Sequence, residues 1–243
     1  MGYQQNKIAY VTGASSGIGE ALVTKLLDEG YFVTGLSRTV VNRGDNYEHH
    51  SIDLSDIEAV ASFEFSQHAN HVLLINNAGS IGAIKPIGQN PISSLVEVSN
   101  LNALAPQILI NNFLKAFSGK VESGHILNIS SGAGKYPIDS WAPYCASKAS
   151  LDLFSETVKA ELTARGQENW YVHSVAPGVV DTTMQEVIRS ANPEDFMALQ
   201  KFIDLKANNE LSIPEAVAYQ LNKVIANPQN YKDVVISVRD FNK

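Results

Sequence analysis

The sequence predicts an α/β protein built on one doubly wound, Rossmann-type parallel sheet of seven strands, with helices on both faces. Seven short apolar runs recur along the 243 residues, and helix-length spacers separate them. Strands joined by right-handed crossovers are buried on both faces, so their runs are apolar throughout rather than alternating. Because no repeat, low-complexity tract or Pro/Gly-rich linker divides the chain, we expect a single domain over residues 1–243.

The strand candidates are, in chain order, KIAYVTG, YFVTGL, HHSIDL, HVLLINNAG, GHILNISS, WYVHSVAPG and DVVISV. The spacer after the first run shows the helical pattern most clearly. Ile18, Leu22 and Leu26 recur at intervals of four residues, and Gly30 supplies a stop. We therefore expect a first helix that packs one apolar stripe on the sheet.

Residues 183–212 form a polar, helix-prone insertion that does not suit a sheet. We expect this segment to be a mobile cover over the substrate. The helix that follows it opens with Pro214 in its first turn, and Ser212 and Glu215 have the spacing of a capping box.

Composition excludes several classes of protein. A net charge of −7, with the 18 Lys and Arg scattered, disfavours nucleic acid as a partner. Cys145 is the only cysteine, which excludes an internal disulfide and fits a reducing compartment. Without a signal-like N-terminus or an apolar run long enough to cross a bilayer, we expect a cytoplasmic protein that does not bind membranes.

The first strand runs into TGASSGIG, which places Gly13, Gly17 and Gly19 on a strand-to-helix turn. Glycines at such a turn let a pyrophosphate approach the helix N-terminus, so the turn predicts a dinucleotide site. The spacing is G-x-x-x-G-x-G rather than G-x-G-x-x-G, and a purely structural turn is the alternative. The turn residues expected at the cofactor include, besides the glycines, Ser15, Ser16 and Ile18.

The end of the second strand indicates which dinucleotide is bound. An acidic residue there accepts from a ribose 2′-hydroxyl, but this chain has Ser37 and Arg38. A guanidinium favours a 2′-phosphate, so NADPH/NADP⁺ is the predicted cofactor. The alternative is an ordinary solvated arginine at a strand end. Asp53, followed by Leu54 at the end of the third strand, either reaches the adenine or caps a turn.

Tyr144 and Lys148 lie four residues apart in WAPYCASKAS, with small residues between them. On a helix this spacing stacks both side chains on one face, so the two can act as a pair. The alternative is the start of an amphipathic helix with a half-buried tyrosine and a solvated lysine.

Five motifs, in this order, resemble those of the short-chain dehydrogenase/reductase family. They are TGASSGIG, NNAG at 76–79, NISSGAG at 128–134, YCASK at 144–148 and APGVVDT at 176–182, and they span nearly the whole chain. NNAGSIG, WAPYCASK and PGVVDTTMQ with LKANNEL are similar to the sepiapterin reductase and benzil reductase branch.

This resemblance implies that Tyr144 is the proton donor and that Lys148 holds the nicotinamide ribose. Physical chemistry agrees, because a neighbouring ammonium lowers the pKa of a phenol from its free value of about 10. Ser131, thirteen residues before Tyr144, has the family's spacing for the hydroxyl that binds the carbonyl. Ser130 is its rival. A preplaced hydroxyl stabilises the negative charge that grows on oxygen as hydride arrives.

Asn102 in LNALAPQIL matches the family's N-x-x-[AG] segment. Pro106 has no N–H, so the main-chain carbonyl of Asn102 loses its helical partner and is free to hold a water. The family is thought to relay protons through such a water to the lysine. The alternative is that Asn100 or Asn102 only marks a kink in the helix.

The resemblance also implies further contacts. Those to the cofactor are Asn77, Ala78, Gly79, Pro177, Gly178, Val180 and Thr182; those to the substrate are Tyr136, Ile138, Trp141, Met184 and Phe196. No metal is expected, because His68 and His71 lack a third ligand.

The function these residues imply is an NADPH-dependent carbonyl reductase, with a vicinal diketone such as benzil, or a sepiapterin-like side chain, as its small-molecule carbonyl substrate. The C-terminal strand favours the diketone: a gapless alignment puts Val238 where sepiapterin reductases have a pterin-binding Asp, and only a shift brings in Asp240. The alternatives are a β-ketoacyl thioester, a secondary alcohol, and a sensor that binds NADP without catalysis. A homodimer is expected from the family, and a tetramer is also compatible with it.

Overall fold

A computed structural model describes residues 6–66 and 68–241. Their strands form one parallel sheet of seven, in the order β3-β2-β1-β4-β5-β6-β7, which confirms the predicted fold class. The strands are β1 (Lys7–Thr12), β2 (Phe32–Ser37), β3 (Tyr47–Ser51), β4 (His71–Asn76), β5 (Ser123–Ile129), β6 (Trp170–Ala176) and β7 (Val235–Ser237).

The strand order reverses between β1 and β4, where the chain winds outward in both directions. At such a switch point the loops beyond the carboxyl ends of the strands diverge and leave a crevice. The turn after β1 and the loop after β4 therefore face each other across the position where a ligand is expected.

The helices of the described part of the chain are α1 (Gly17–Asp28), α2 (Ile57–Ser62), α3 (Ile92–Ser99), α4 (Ala105–Phe117), α5 (Ala142–Ala164), α6 (Thr183–Arg189), α7 (Leu199–Ala207) and α8 (Pro214–Ala226). Leu22 and Leu26 of α1 are fully buried and pack with α8 on one face of the sheet. The core on the other face includes residues of α2, α4 and α5. None of these helices is long and apolar enough to cross a membrane.

The third strand ends earlier than its sequence pattern suggests. It stops at Ser51, because the chain then turns at Asp53, whose carboxylate accepts from the backbone N–H of Ser55 at 2.9 Å and from its hydroxyl at 2.8 Å. In this structure the side chain of Asp53 therefore caps the turn at Ser55, which is the second of the two roles considered for it.

The predicted helical insertion contains α6 and α7, and its two ends meet. The N–H of Ser212 donates to the carbonyl of Val179 at 3.0 Å, and the N–H of Asp181 donates to the carbonyl of Ser212 at 2.9 Å. The predicted capping box is wrong, because this bridge holds Ser212 outside the helix and Ile213 takes the capping position without a side-chain cap. Pro214 lies in the first turn, as expected.

Candidate active site

A cavity of about 1580 Å³ lies at the carboxyl edge of the sheet. Its volume exceeds the roughly 300–1,000 Å³ of ordinary small-molecule pockets, so it has room for a dinucleotide and a second ligand. It extends from the turn after β1 to the cover segment. The predicted cofactor residues that line it are Gly13, Ser15, Ser16, Gly17, Ile18, Ser37, Arg38, Asp53, Leu54, Asn77, Ala78, Gly79, Tyr144, Lys148, Pro177, Gly178, Val180 and Thr182.

The glycine turn after β1 serves two purposes. Gly13 and Gly17 have φ angles of +65° and +57°, in the left-handed region that favours glycine. Gly19 does not line the cavity, contrary to the expectation that it contacts the cofactor. A Cβ on Gly19 would lie 2.1 Å from the carbonyl oxygen of Gly13, so this glycine permits close packing of the helix on the turn.

Thr12 is a structural residue of the site that no sequence motif marks. Its hydroxyl accepts from the backbone N–H groups of Asn77 at 2.9 Å and Ala78 at 3.0 Å. The buried Thr12 therefore joins the two loops that face each other across the switch point. A threonine that ends an apolar strand gives no separate sequence signal, because threonine is common in strands.

At the end of β2, Arg38 is exposed at the cavity and Ser37 is buried. The Ser37 hydroxyl donates to the carbonyl of Thr39 at 3.0 Å, which shapes the turn that carries the arginine. No carboxylate ends β2, so Arg38 is the charged group that this strand end presents to the cavity.

Tyr144 is buried near the start of α5, beside Ser131 at the end of β5. Burial raises the pKa of the Tyr144 phenol to about 12, and the hydrogen bond with Ser131 opposes that rise. Ser131 thus meets the phenol, whereas the hydroxyl of the rival Ser130 is buried without a hydrogen-bond partner. The net shift is therefore upward, contrary to the expectation of a phenol pKa below its free value, because burial outweighs the opposing effects.

Lys148 is equally buried, one turn after Tyr144 on α5. Its Nζ lies 5.8 Å from the centroid of the Tyr144 ring and donates to the carbonyl of Ile129 at 2.7 Å. Burial lowers the pKa of the Lys148 ammonium to about 8, and the nearby Asp152 carboxylate opposes that shift. Tyr144 and Lys148 therefore face the same cavity, and burial raises the pKa of the phenol while it lowers the pKa of the ammonium.

Asn102 lies in a π-helical turn, Asn100–Leu104, between α3 and α4. The helix is thus distorted just before Pro106. Both interpretations of Asn102, a free carbonyl and a simple kink, expected such a distortion. The side chain of Asn102 is buried behind the cavity wall. It accepts from the N–H of Ser80 at 2.9 Å and donates to the carbonyl of Ser80 at 2.8 Å.

Four of the five predicted substrate contacts line the cavity: Tyr136, Ile138, Trp141 and Met184. Phe196 does not, and this prediction is wrong. It is 1 % exposed and stacks behind Trp141, with the ring centroids 5.6 Å apart. Since Trp141 also packs edge-on against Tyr144, Phe196 supports the wall of the cavity rather than forming it.

The site lies in a doubly wound sheet at the switch point, and it combines a glycine turn with a buried Ser-Tyr-Lys group. These are features of a dinucleotide-dependent oxidoreductase. The sequence profile of the short chain dehydrogenase family matches residues 7–193. The chain belongs to this family, and it is an oxidoreductase of the class that interconverts alcohols and carbonyls with a nicotinamide cofactor.

Among similar proteins, a benzil reductase ((S)-benzoin forming) of Bacillus cereus is 34 % identical over 94 % of this chain and 97 % of its own. A benzil reductase ((S)-benzoin forming) of Bacillus subtilis (strain 168) is 37 % identical over 86 % of this chain and 88 % of its own. A solved short-chain dehydrogenase/reductase of Saccharomyces cerevisiae superposes with a TM-score of 0.83, at 24 % identity and 98 % coverage of both chains. The chain is therefore a carbonyl reductase of the benzil reductase branch.

Proposed function

We propose that this protein is an NADPH-dependent reductase of vicinal diketones on aromatic or apolar groups. The observation that carries the proposal is the meeting of Ser131, Tyr144 and Lys148 in one cavity whose other wall is aromatic and apolar. The names of the two Bacillus relatives, benzil reductases, support the same substrate class.

The nicotinamide, when bound, supplies the hydride that reduces the carbonyl carbon. The protein must then stabilise and protonate the carbonyl oxygen. In this proposal the Ser131 hydroxyl donates to that oxygen, and Tyr144 transfers its phenolic proton to it. The raised pKa of Tyr144 keeps the phenol protonated at neutral pH, which is the form that reduction requires.

Lys148 has a second task in the proposal. Its ammonium lies one helical turn from the phenol and would hold the nicotinamide ribose and stabilise a transient phenolate. We propose that a water on the main-chain carbonyl of Asn102 returns the proton to Lys148, since Pro106 offers that carbonyl no N–H.

The preference for NADPH over NADH rests on Arg38. Its guanidinium stands at the cavity beside Ser37, and no carboxylate at this strand end repels a 2′-phosphate. Charge-assisted hydrogen bonds of arginine to phosphate are among the strongest that proteins make.

The preference for a diketone rests on both its chemistry and the cavity walls. A carbonyl adjacent to the attacked carbon withdraws electron density, so hydride transfer to that carbon is easier. Trp141 and Ile138 offer flat, apolar contacts for the attached group. Val238 and Arg239 line the cavity near the C-terminus, whereas Asp240 does not, which disfavours a pterin anchor there.

We further propose that the enzyme works in the cytoplasm as a homodimer. Leu104, beside α4, and Leu153 on α5 are exposed apolar residues, 40 % and 65 % accessible. Pairing of the α4 and α5 faces of two copies would cover such residues.

A substrate panel tests the proposed function. NADPH oxidation is followed by absorbance with benzil, a small aliphatic diketone, sepiapterin, a β-ketoacyl thioester and a simple monoketone. We expect the highest kcat/KM with benzil. A thioester or monoketone that exceeds it tenfold would contradict the diketone proposal, and a preference for sepiapterin would return Asp240 to consideration as an anchor.

A further inference from the structure

Asp152 is a buried carboxylate on the helix that carries Tyr144 and Lys148. It lies one turn after Lys148 on α5 and is 8 % exposed. Its Oδ1 accepts from the hydroxyl of Ser174 on β6 at 2.6 Å. This hydrogen bond ties the carboxylate of Asp152 on α5 to the neighbouring strand β6.

The turn that follows Ser131 packs directly on this part of α5. A Cβ on Gly134 would lie 2.8 Å from Oδ2 of Asp152 and 3.1 Å from the backbone of Lys148. Asp152 is therefore fixed on two sides, by a strand and by the loop that starts at the substrate-binding serine.

Lys148 and Asp152 each form their hydrogen bonds with other residues. Its Nζ donates to the carbonyl of Ile129, while the carboxylate of Asp152 is engaged by Ser174. The carboxylate thus acts on the lysine through space, without capturing the ammonium. This arrangement leaves the Nζ hydrogens available to the cavity and still places a negative charge one turn away.

The surroundings of the pair contain few other charges. The groups that face Lys148 are Tyr144 on its own helix, the carbonyl of Ile129 on β5, and Asn102 behind Gly79. Beside Asp152, a shallow surface depression carries the charged residues Lys135, Glu156, Lys232 and Asp233. Of all these carboxylates, Asp152 is the one that acts on Lys148.

We propose that Asp152 is a positioning residue whose negative charge, one turn away on α5, keeps the buried Lys148 ammonium protonated at neutral pH. The inference rests on the proposed role of Lys148 in holding the cofactor and assisting Tyr144. A buried ammonium without a nearby negative charge loses its proton more easily, and the lysine would then fail in both tasks.

The test compares the pH dependence of kcat/KM for benzil reduction in the wild type and in Asp152→Asn. We expect the alkaline limb of the variant to move down by about one pH unit, which lowers the protonated fraction of Lys148 about fivefold at pH 8. Asp152→Glu should restore most of the limb. Glu156→Gln, one turn further on α5 and exposed, is the matched control and should keep the wild-type limb.

A second readout does not depend on any carbonyl substrate. NADPH affinity, titrated by fluorescence across the same pH range, should weaken at a lower pH in Asp152→Asn than in the wild type. If the wild type reduced no carbonyl, the proposed function would fail, but this affinity profile would still test Asp152. An unchanged profile in a variant that is folded by circular dichroism overturns the inference.

Ser174→Ala separates charge from packing, and it serves also if Asp152→Asn does not fold. It keeps the carboxylate and removes only its hydrogen bond, so we expect an alkaline limb within about 0.3 pH unit of the wild type. A shift as large as one unit in this variant would show that packing between α5 and β6, rather than charge, controls Lys148, and would equally overturn the inference.

Discussion

Asn102 and Ser80 bind each other twice, with the side-chain amide of one pairing with both main-chain groups of the other. This reciprocal pair ties the π turn before α4 to the loop after β4. The loop includes Gly79, where a Cβ would lie 3.3 Å from Oδ1 of Asn102 and 3.7 Å from Nζ of Lys148. The asparagine thus holds the part of the cavity wall that stands opposite Lys148.

The first prediction concerns this pair. Asn102→Asp removes the donor to the carbonyl of Ser80 and sets two acceptors against each other. We expect a loss of about 1–3 kcal/mol in the free energy of unfolding and weaker NADPH binding. Urea denaturation and fluorescence titration measure the two effects. Asn111→Asp, at an exposed position of α4, is the control, and equal stability of the two variants would contradict the prediction.

The second prediction concerns cofactor choice. Replacing Ser37 with Asp and Arg38 with Gln should reverse the preference toward NADH, because a carboxylate then repels the 2′-phosphate and accepts from a ribose hydroxyl. Affinities for both cofactors are measured by fluorescence. Arg165→Gln, at the exposed end of α5, should leave the preference unchanged. A double variant that still prefers NADPH would show that the phosphate is held elsewhere.

The third prediction tests the proton donor. Tyr144→Phe keeps the ring that packs on Trp141 but removes the ionisable oxygen. We expect turnover to fall by at least about a hundredfold, the lower range of general-acid contributions, while NADPH still binds. Tyr219→Phe, exposed on α8, is the matched control. Near-normal turnover in Tyr144→Phe would assign the proton to another group.

The fourth prediction is the pH profile of the wild type. Lys148 loses its charge as pH rises through its lowered pKa of about 8, whereas Tyr144 stays protonated far above that value. The kcat/KM for reduction should therefore fall above about pH 8, with one proton lost. Lys148→Arg, which stays charged, should be slower but flat in this range. A wild-type profile that is level up to pH 10 would rule out this assignment.

The fifth prediction concerns the anchoring of the cover. Asp195 pairs with Lys85 at 2.6 Å, and its main-chain carbonyl accepts from the hydroxyl of Ser140. Asp195→Asn weakens the ion pair by about 1 kcal/mol, so KM for the diketone should rise about fivefold. NADPH affinity should not change. Glu194→Gln, its exposed neighbour, controls for charge, and an equal KM in both variants would contradict a role for the ion pair.

The sheet and the cavity-lining turn were predictable because each depends on a local pattern. Apolar runs indicate the buried strands, and the spacing of Gly13 and Gly17 indicates the turn. The errors have a different origin. Phe196 faces Trp141, 55 positions earlier in the chain, and a pattern within the cover segment cannot show whether its aromatic ring lines a cavity or lies behind another ring.

Partners from distant parts of the chain were missed for the same reason. Thr12 and Asn77 are 65 residues apart in sequence and 2.9 Å apart in space, and Ser174 reaches Asp152 across 22 residues. The pKa of Tyr144 was predicted in the wrong direction because a motif shows the neighbouring charge but not the extent of burial. Tertiary packing decides which of these two opposing effects prevails.

The bridge between Val180 and Ser212 makes the intervening chain a loop that leaves the scaffold and returns to it at one place. The hydrogen bonds of Ser212 are made to the main chain, so they do not depend on the side chains of the residues enclosed. The main-chain bridge that closes the loop is therefore independent of the identity of the enclosed side chains. The main chain of residues 183–211 thus joins the sheet at a single place, and a graft from a related reductase that keeps the aromatic contacts of Phe196 and Phe202 with Trp141 should alter substrate choice.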